Sequence, residues 1–97
     1  MNKGYWIVRA DVNDLDAFKH YASKTPDVLE KFGGTFLSRA GQHQAVEGST
    51  RLRNSLIEFP SYQAALDCWH SDEYQAVREI RLAGSELDIV ILEGTGL

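Results

Sequence analysis

Six side chains able to do chemistry fall within a short span: Glu58, Trp69, His70, Tyr74, Arg78 and Arg81. Tyr74 and Arg81 are seven apart with Arg78 between them, so on a helix they share a face. A phenol and a guanidinium fork side by side can hold a carboxylate or an enolate. Trp69, Tyr74, Arg78 and Arg81 are therefore the candidate ligand-binding set. The same spacing also fits a packed tyrosine and an arginine tied to a nearby acid such as Glu73 or Asp88. Glu58 stands just before Phe59-Pro60 at a strand end. Partly buried beside an aromatic ring, it would have a raised pKa and act as a base. Paired with Arg39 or Arg81, it would instead fix strand to helix. His70 closes a helical segment beside Trp69, where an imidazolium suits the helix C-terminus. Glu58, His70 and Tyr74 are the candidates for proton transfer.

Other chemistries find less support. His20, His43 and His70 lie on different elements without the spacing of a zinc motif, so no metal and no cofactor are expected. Cys68 is the one cysteine; it can form neither an internal disulfide nor a thiolate cluster. It reads as a small buried hydrophobe in a reducing cytoplasm. Ser61 and Ser71 read as helix caps, and neither a Gly-x-Ser-x-Gly elbow nor a glycine-rich phosphate loop is present. The net charge of −4, with basic residues scattered, argues against nucleic acid or anionic membrane as a partner. The opening MNKGYWIVRADV has no signal-peptide core, and no apolar run approaches the roughly 20 residues that span a bilayer. A cytoplasmic protein is expected.

The elements that must position these residues follow from periodicity. Gly4 to Val12 alternates as a strand, with Trp6, Val8 and Ala10 on one side and Tyr5, Ile7 and Arg9 on the other. Asn13 or Asp14 caps a helix whose stripe is Leu15, Phe18 and Ala22, with Tyr21 alongside. Thr25-Pro26 is expected to break it and to start a second piece burying Val28, Leu29 and Phe32. Gly33-Gly34 ends that piece. Thr35 to Ala40 is a strand, expected to continue after a kink near Gly41 into Gln42 to Glu47. Leu52 to Phe59 is the third strand, with Arg53, Ser55, Ile57 and Phe59 on one side. Ser61 caps a helix burying Ala65, Leu66 and Trp69. Ser71, followed by Asp72 and Glu73, caps another that carries Tyr74, Val77 and Arg81. Glu86 to Glu93 is the last strand.

With 97 residues, this order describes one α+β domain of ferredoxin-like type, βαββαβ, a four-stranded antiparallel sheet with helices on one face. The first and last strands are apolar on both sides. A bare second face would expose a large apolar patch, so a homodimer with sheets packed face to face is expected.

GYWIVRADV, KFGGTFLSRAG, IEFPSYQAALDCWHSDEYQAVREIR and DIVILEG together resemble the bacterial domain-of-unknown-function 1330 family, over about Lys3 to Gly94. The most specific part is EFPS, a tryptophan eight positions past Ser61, Ser71, Glu73-Tyr74-Gln75, and Arg81. The resemblance implies the dimeric α+β barrel superfamily, and so the same fold and face-to-face dimer. It implies no activity. The superfamily includes cofactor-free oxygenases, isomerases, haem-handling proteins and ligand-binding regulators. A small, partly apolar or anionic metabolite held in a helix–sheet cleft is the expectation, with proton transfer or oxygenation as the chemistry. The alternative is a structural or accessory homodimer without catalysis.

Overall fold

The computed structural model describes residues 2–96. The order is β1 (Gly4–Val12), α1 (Leu15–Lys31), β2 (Thr35–Arg39), β3 (Arg53–Phe59), α2 (Tyr62–His70), α3 (Asp72–Arg81) and β4 (Ser85–Glu93). The sheet runs β2-β3-β1-β4, every pair antiparallel. α1 carries the chain from β1 past β3 to β2, and α2 with α3 carries it from β3 past β1 to β4. This is the ferredoxin-like arrangement that the alternation of elements predicts.

The inner face of the sheet is set by β1. Trp6 lies opposite Ile57 on β3 and Ile91 on β4. Its ring sits 5.3 Å from that of Phe59 and 4.9 Å from that of Tyr74. Its Nε1 donates to the Ala65 carbonyl at 2.9 Å, so the largest core side chain buries no unpaired polar atom. Leu29, Ala65 and Cys68 close over it from the helices. Leu66 and Trp69 are only half-buried, while Cys68 is fully enclosed.

Short polar side chains begin each helix as the sequence predicts. Asp14 accepts from the Ala17 amide, Ser61 from Ala64, and Ser71 from Tyr74. Ser71 also donates its hydroxyl proton to the Cys68 carbonyl at 2.7 Å. One residue therefore closes α2 and opens α3. Gly33 takes a φ of 78° at the end of α1, where a left-handed residue lets the chain turn off the helix.

Two expectations are corrected. Thr25-Pro26 does not break α1, which runs unbroken through Pro26. The missing proline N–H leaves the Ala22 carbonyl without its helical donor, and Arg39 Nη2 supplies one at 2.8 Å. A donor from another element thus replaces the lost hydrogen bond. The second correction concerns residues 40–52. They form no strand and are exposed along nearly their whole length. β3 begins only at Arg53, so nothing lies alongside for residues beyond Arg39 to pair with, and Ala40 turns away at a φ of 50°.

The other face of the sheet carries Tyr5, Ile7, Leu56, Val90 and Leu92 in register. Val90 and Leu92 are each about half exposed, at 55% and 51%. At one end of this face Arg51 gathers three carboxylates, Asp88 at 2.8 Å, Asp11 at 2.9 Å and Glu86 at 3.3 Å. Among the described residues no helix is long and apolar enough to cross a membrane.

Candidate functional site

A cavity of about 160 Å³ opens between α1 and the inner face of the sheet. Its closed end is formed by Trp6, Ile57, Thr25 and Tyr21, all buried. Val8, Phe18, Ala22 and Phe36 continue the apolar wall. Leu15, expected in the buried stripe, stands half exposed at the opening. Three cations, Lys19, Arg39 and Arg53, line the cavity and no carboxylate does. None of the three has an ion pair among the described residues. Instead, Arg39 stacks its guanidinium 4.5 Å from the Phe36 ring, and Arg53 lies 5.5 Å from Phe18. Aromatic faces hold both forks over the apolar wall while their charge stays available.

Arg39 reaches the cavity because β2 carries a bulge. Phe36 pairs with Ile57, but the next partners are Ser38 with Leu56 and Arg39 with Ser55. Strict alternation from an inward Phe36 would turn Arg39 to the outer face. The extra residue, Leu37, shifts the phase and brings Arg39 onto the same face as Ser55. Ser55 also accepts from the Ala40 amide at 2.9 Å, which fixes the strand end.

The sequence-predicted residues separate into two groups. Trp69, Tyr74, Arg78 and Arg81 do come together, on the ends of α2 and α3, but behind the cavity wall rather than in it. Tyr74 is fully enclosed and its ring meets those of Trp6 and Trp69. Arg78 stacks 5.4 Å from the Trp69 ring. Arg81, 4% exposed, donates from Nη2 to Tyr74 Oη at 3.2 Å and lies 5.0 Å from the Tyr21 ring. Tyr74 Oη is 2.8 Å from Tyr21 Oη. Neither acid considered as a partner for Arg81 reaches it: Glu73 pairs with Lys31 and Asp88 with Arg51. Glu58 and His70 lie elsewhere. Glu58 is on the outer face of the sheet, 3.5 Å from both Lys3 Nζ and Tyr5 Oη, and meets neither Arg39 nor Arg81. His70, His20 and His43 are exposed on separate elements. Among the described residues no three His, Cys, Asp or Glu side chains gather as a metal site needs.

Burial raises the Tyr74 phenol well above its usual range; Tyr21 adds to this and Arg81 opposes it. Tyr74 therefore remains a neutral phenol, able to pass hydrogen bonds but not to act as a base. Burial is the largest influence on Arg81 and works against its charge, while the Tyr74 and Tyr21 oxygens act for it. Reasoning from sequence missed Tyr21, Lys19, Arg39 and Arg53 as cavity residues. Arg53 carried a readable signal, a charge on the same strand side as Ile57 and Phe59. Tyr21 carried none beyond lying beside the stripe of α1.

The family model for a domain of unknown function, DUF1330, matches residues 3–95. The chain belongs to the DUF1330 family. The EFPS segment, Trp69, Tyr74 and Arg81 all fall inside the matched span, as the resemblance implied. No curated protein matches the chain in sequence at a significant level. Among solved structures, a protein of unknown function from Rhodopseudomonas palustris superposes with a TM-score of 0.76 at 14% identity, covering 95% of this chain and 82% of its own. SnoaB, a cofactor-independent oxygenase from Streptomyces nogalater, superposes at 0.65 with 9% identity over 95% of this chain and 92% of its own. An ethyl tert-butyl ether degradation (EthD) family protein from Bacillus halodurans superposes at 0.59 with 16% identity over 98% of this chain and all of its own. These likenesses show that the DUF1330 chain shares the α+β fold of these three proteins.

Proposed function

We propose that this single-domain protein works as a homodimer and binds a small, mostly apolar, anionic metabolite in the cleft between α1 and the sheet. The observation that carries this is the composition of the cleft: apolar walls, three cations and no carboxylate. Apolar walls with a few oriented polar groups are what a small-molecule site requires. Cations without partners add attraction for an anion. A cavity of about 160 Å³ suits a ligand built on one aromatic ring, since an apolar cavity of about 150 Å³ takes up benzene. The half-exposed row of Ile7, Val90 and Leu92 supports sheet-to-sheet pairing, which would cover it. The buried, unpaired Cys68 suits the cytoplasm.

Proton transfer or cofactor-independent oxygenation of an acidic carbon is the chemistry we assign to the cleft. The likeness to an oxygenase supports this at the level of fold alone. A second reading has its own observation. Tyr74 bonds both Arg81 and Tyr21, and Arg81 stacks on the Tyr21 ring, as residues holding α1 to α3 in a purely structural dimer would.

Native mass spectrometry of gently purified protein tests both readings in one spectrum. A dimer carrying a reproducible extra mass of metabolite size is the expected result. A bare monomer would refute the face-to-face pairing. A bare dimer that also takes up no aromatic carboxylate at millimolar concentration would favour the structural reading.

A further inference from the structure

The polar cluster between α1 and α3 has more donors than acceptors. Arg81 brings five N–H donors into a site where it is 4% exposed and has no ion pair among the described residues. Its Nε is buried and unpartnered. Its Nη2 donates to Tyr74 Oη, and Tyr74 Oη meets Tyr21 Oη at 2.8 Å. Two hydroxyls joined by one hydrogen bond use one proton and leave the other over. Tyr74 is fully enclosed among aromatic rings, so a proton left on it would be buried without an acceptor, at a cost of about 1–3 kcal/mol. The favoured arrangement has Tyr74 accept from Arg81 and donate to Tyr21. The proton left over is then that of Tyr21, the one member of the cluster that lines the cleft.

We infer that Tyr21 is an oxyanion donor at the closed end of the cleft, its hydroxyl bonding a phenolate, enolate or carboxylate oxygen, with Tyr74 and Arg81 as positioning residues behind it. The inference rests on the cleft being a binding site and names the ligand group it takes. All hydrogen bonds in the relay then run one way, from the guanidinium toward the ligand, so each polarises the next. A fixed positive charge in a dry interior acts where negative charge develops. Lys19, Arg39 and Arg53 are the other charged groups facing the cleft. They are more exposed than Tyr21 and draw anions without fixing where the oxygen sits. The hydroxyl of Thr25, the remaining polar group near Tyr21, is already spent on the Tyr21 carbonyl at 2.8 Å.

The test uses 4-nitrophenol, whose phenolate is coloured, and 4-nitroanisole, the same ring with its oxygen methylated. Wild-type protein is expected to bind the phenolate roughly ten- to a hundredfold more tightly than the ether. The bound phenol should then ionise about one pH unit or more below the free probe. Tyr21→Phe should bring the preference to about twofold or less and keep the affinity for the ether; Tyr74→Phe should weaken it partway. Retained preference in Tyr21→Phe overturns the inference, as does loss of the preference only in Arg39→Gln or Arg53→Gln; cleft binding survives both results. If neither probe binds wild-type protein at millimolar concentration, the cleft reading fails and the inference with it. Should Tyr21→Phe not fold, Tyr74→Phe decides, because it breaks the relay without altering the cleft wall: an undiminished phenolate preference there overturns the inference.

Discussion

Arg81→Met should leave the fold as stable as before or make it firmer. Methionine keeps the length and most of the apolar stem of arginine. The substitution removes one charged hydrogen bond to Tyr74, at 3.2 Å and worth about 1.5–3 kcal/mol. It also removes the stacking on Tyr21 at 5.0 Å, about 1–2 kcal/mol. Against this, it relieves the buried Nε that has no acceptor, about 1–3 kcal/mol. It further relieves a guanidinium buried without a counter-charge, whose effective desolvation is several kcal/mol. Tyr74 and Tyr21 keep each other as partners, so the change creates no new unpaired oxygen. Near the middle of these ranges the gains exceed the losses by about 1–2 kcal/mol in favour of the variant. Urea unfolding followed by tryptophan fluorescence, at fixed chain concentration because of the proposed dimer, should show the midpoint unchanged or raised by up to about 1 M. A loss of more than about 3 kcal/mol would refute the reasoning. It would make Arg81 a staple between α1 and α3 rather than a charge kept for a ligand.

The Ala22 carbonyl supplies a second prediction. Arg39→Ala should cost about 0.5–1 kcal/mol in the natural background. It should cost close to nothing alongside Pro26→Ala, which restores the helical N–H. A double-mutant cycle that closes within about 0.3 kcal/mol would show no such coupling. A third prediction concerns Cys68, whose thiol is pushed up to about 12, first by burial and then by Glu73. The fold favours the neutral thiol, so its contribution to stability is full below about pH 9 and fades as pH rises toward 12. A chromogenic disulfide reagent at pH 8 should modify no thiol in the folded protein and one per chain in urea. Prompt modification of the folded protein would contradict this.

What the sequence made legible was whatever is written locally. Alternation in β1 and β3 marks the two sheet faces, and Asp14, Ser61 and Ser71 mark helix starts through single short-range hydrogen bonds. Pro26 was misleading because its compensation is not local. The donor that replaces its N–H comes from Arg39, thirteen residues later on another element. The same holds for the site. Spacing correctly placed Tyr74 and Arg81 on one face of a helix, where they do bond. It could not show that this face turns toward α1 and hides behind Tyr21, which follows from helix packing. Arg53 was within reach, since a charge among Ser55, Ile57 and Phe59 is out of place on an inner face unless it lines a cavity.

The bulge at Leu37 has a consequence for how this cleft can diversify. The amount of positive charge at its rim depends on whether Leu37 bulges or pairs, as well as on residue identity. Deleting Leu37 would straighten the strand and leave Arg39 inward opposite Ser55, whereas pairing Leu37 in plain alternation would turn Arg39 outward and remove both a cleft cation and the donor that holds the Ala22 carbonyl of α1. A one-residue change of register at a sheet edge, where bulges are common, would thus alter ligand charge preference and helix anchoring together. Relatives that pair this strand without the bulge at unchanged length should differ in what they bind, even where every apolar wall of the pocket is the same.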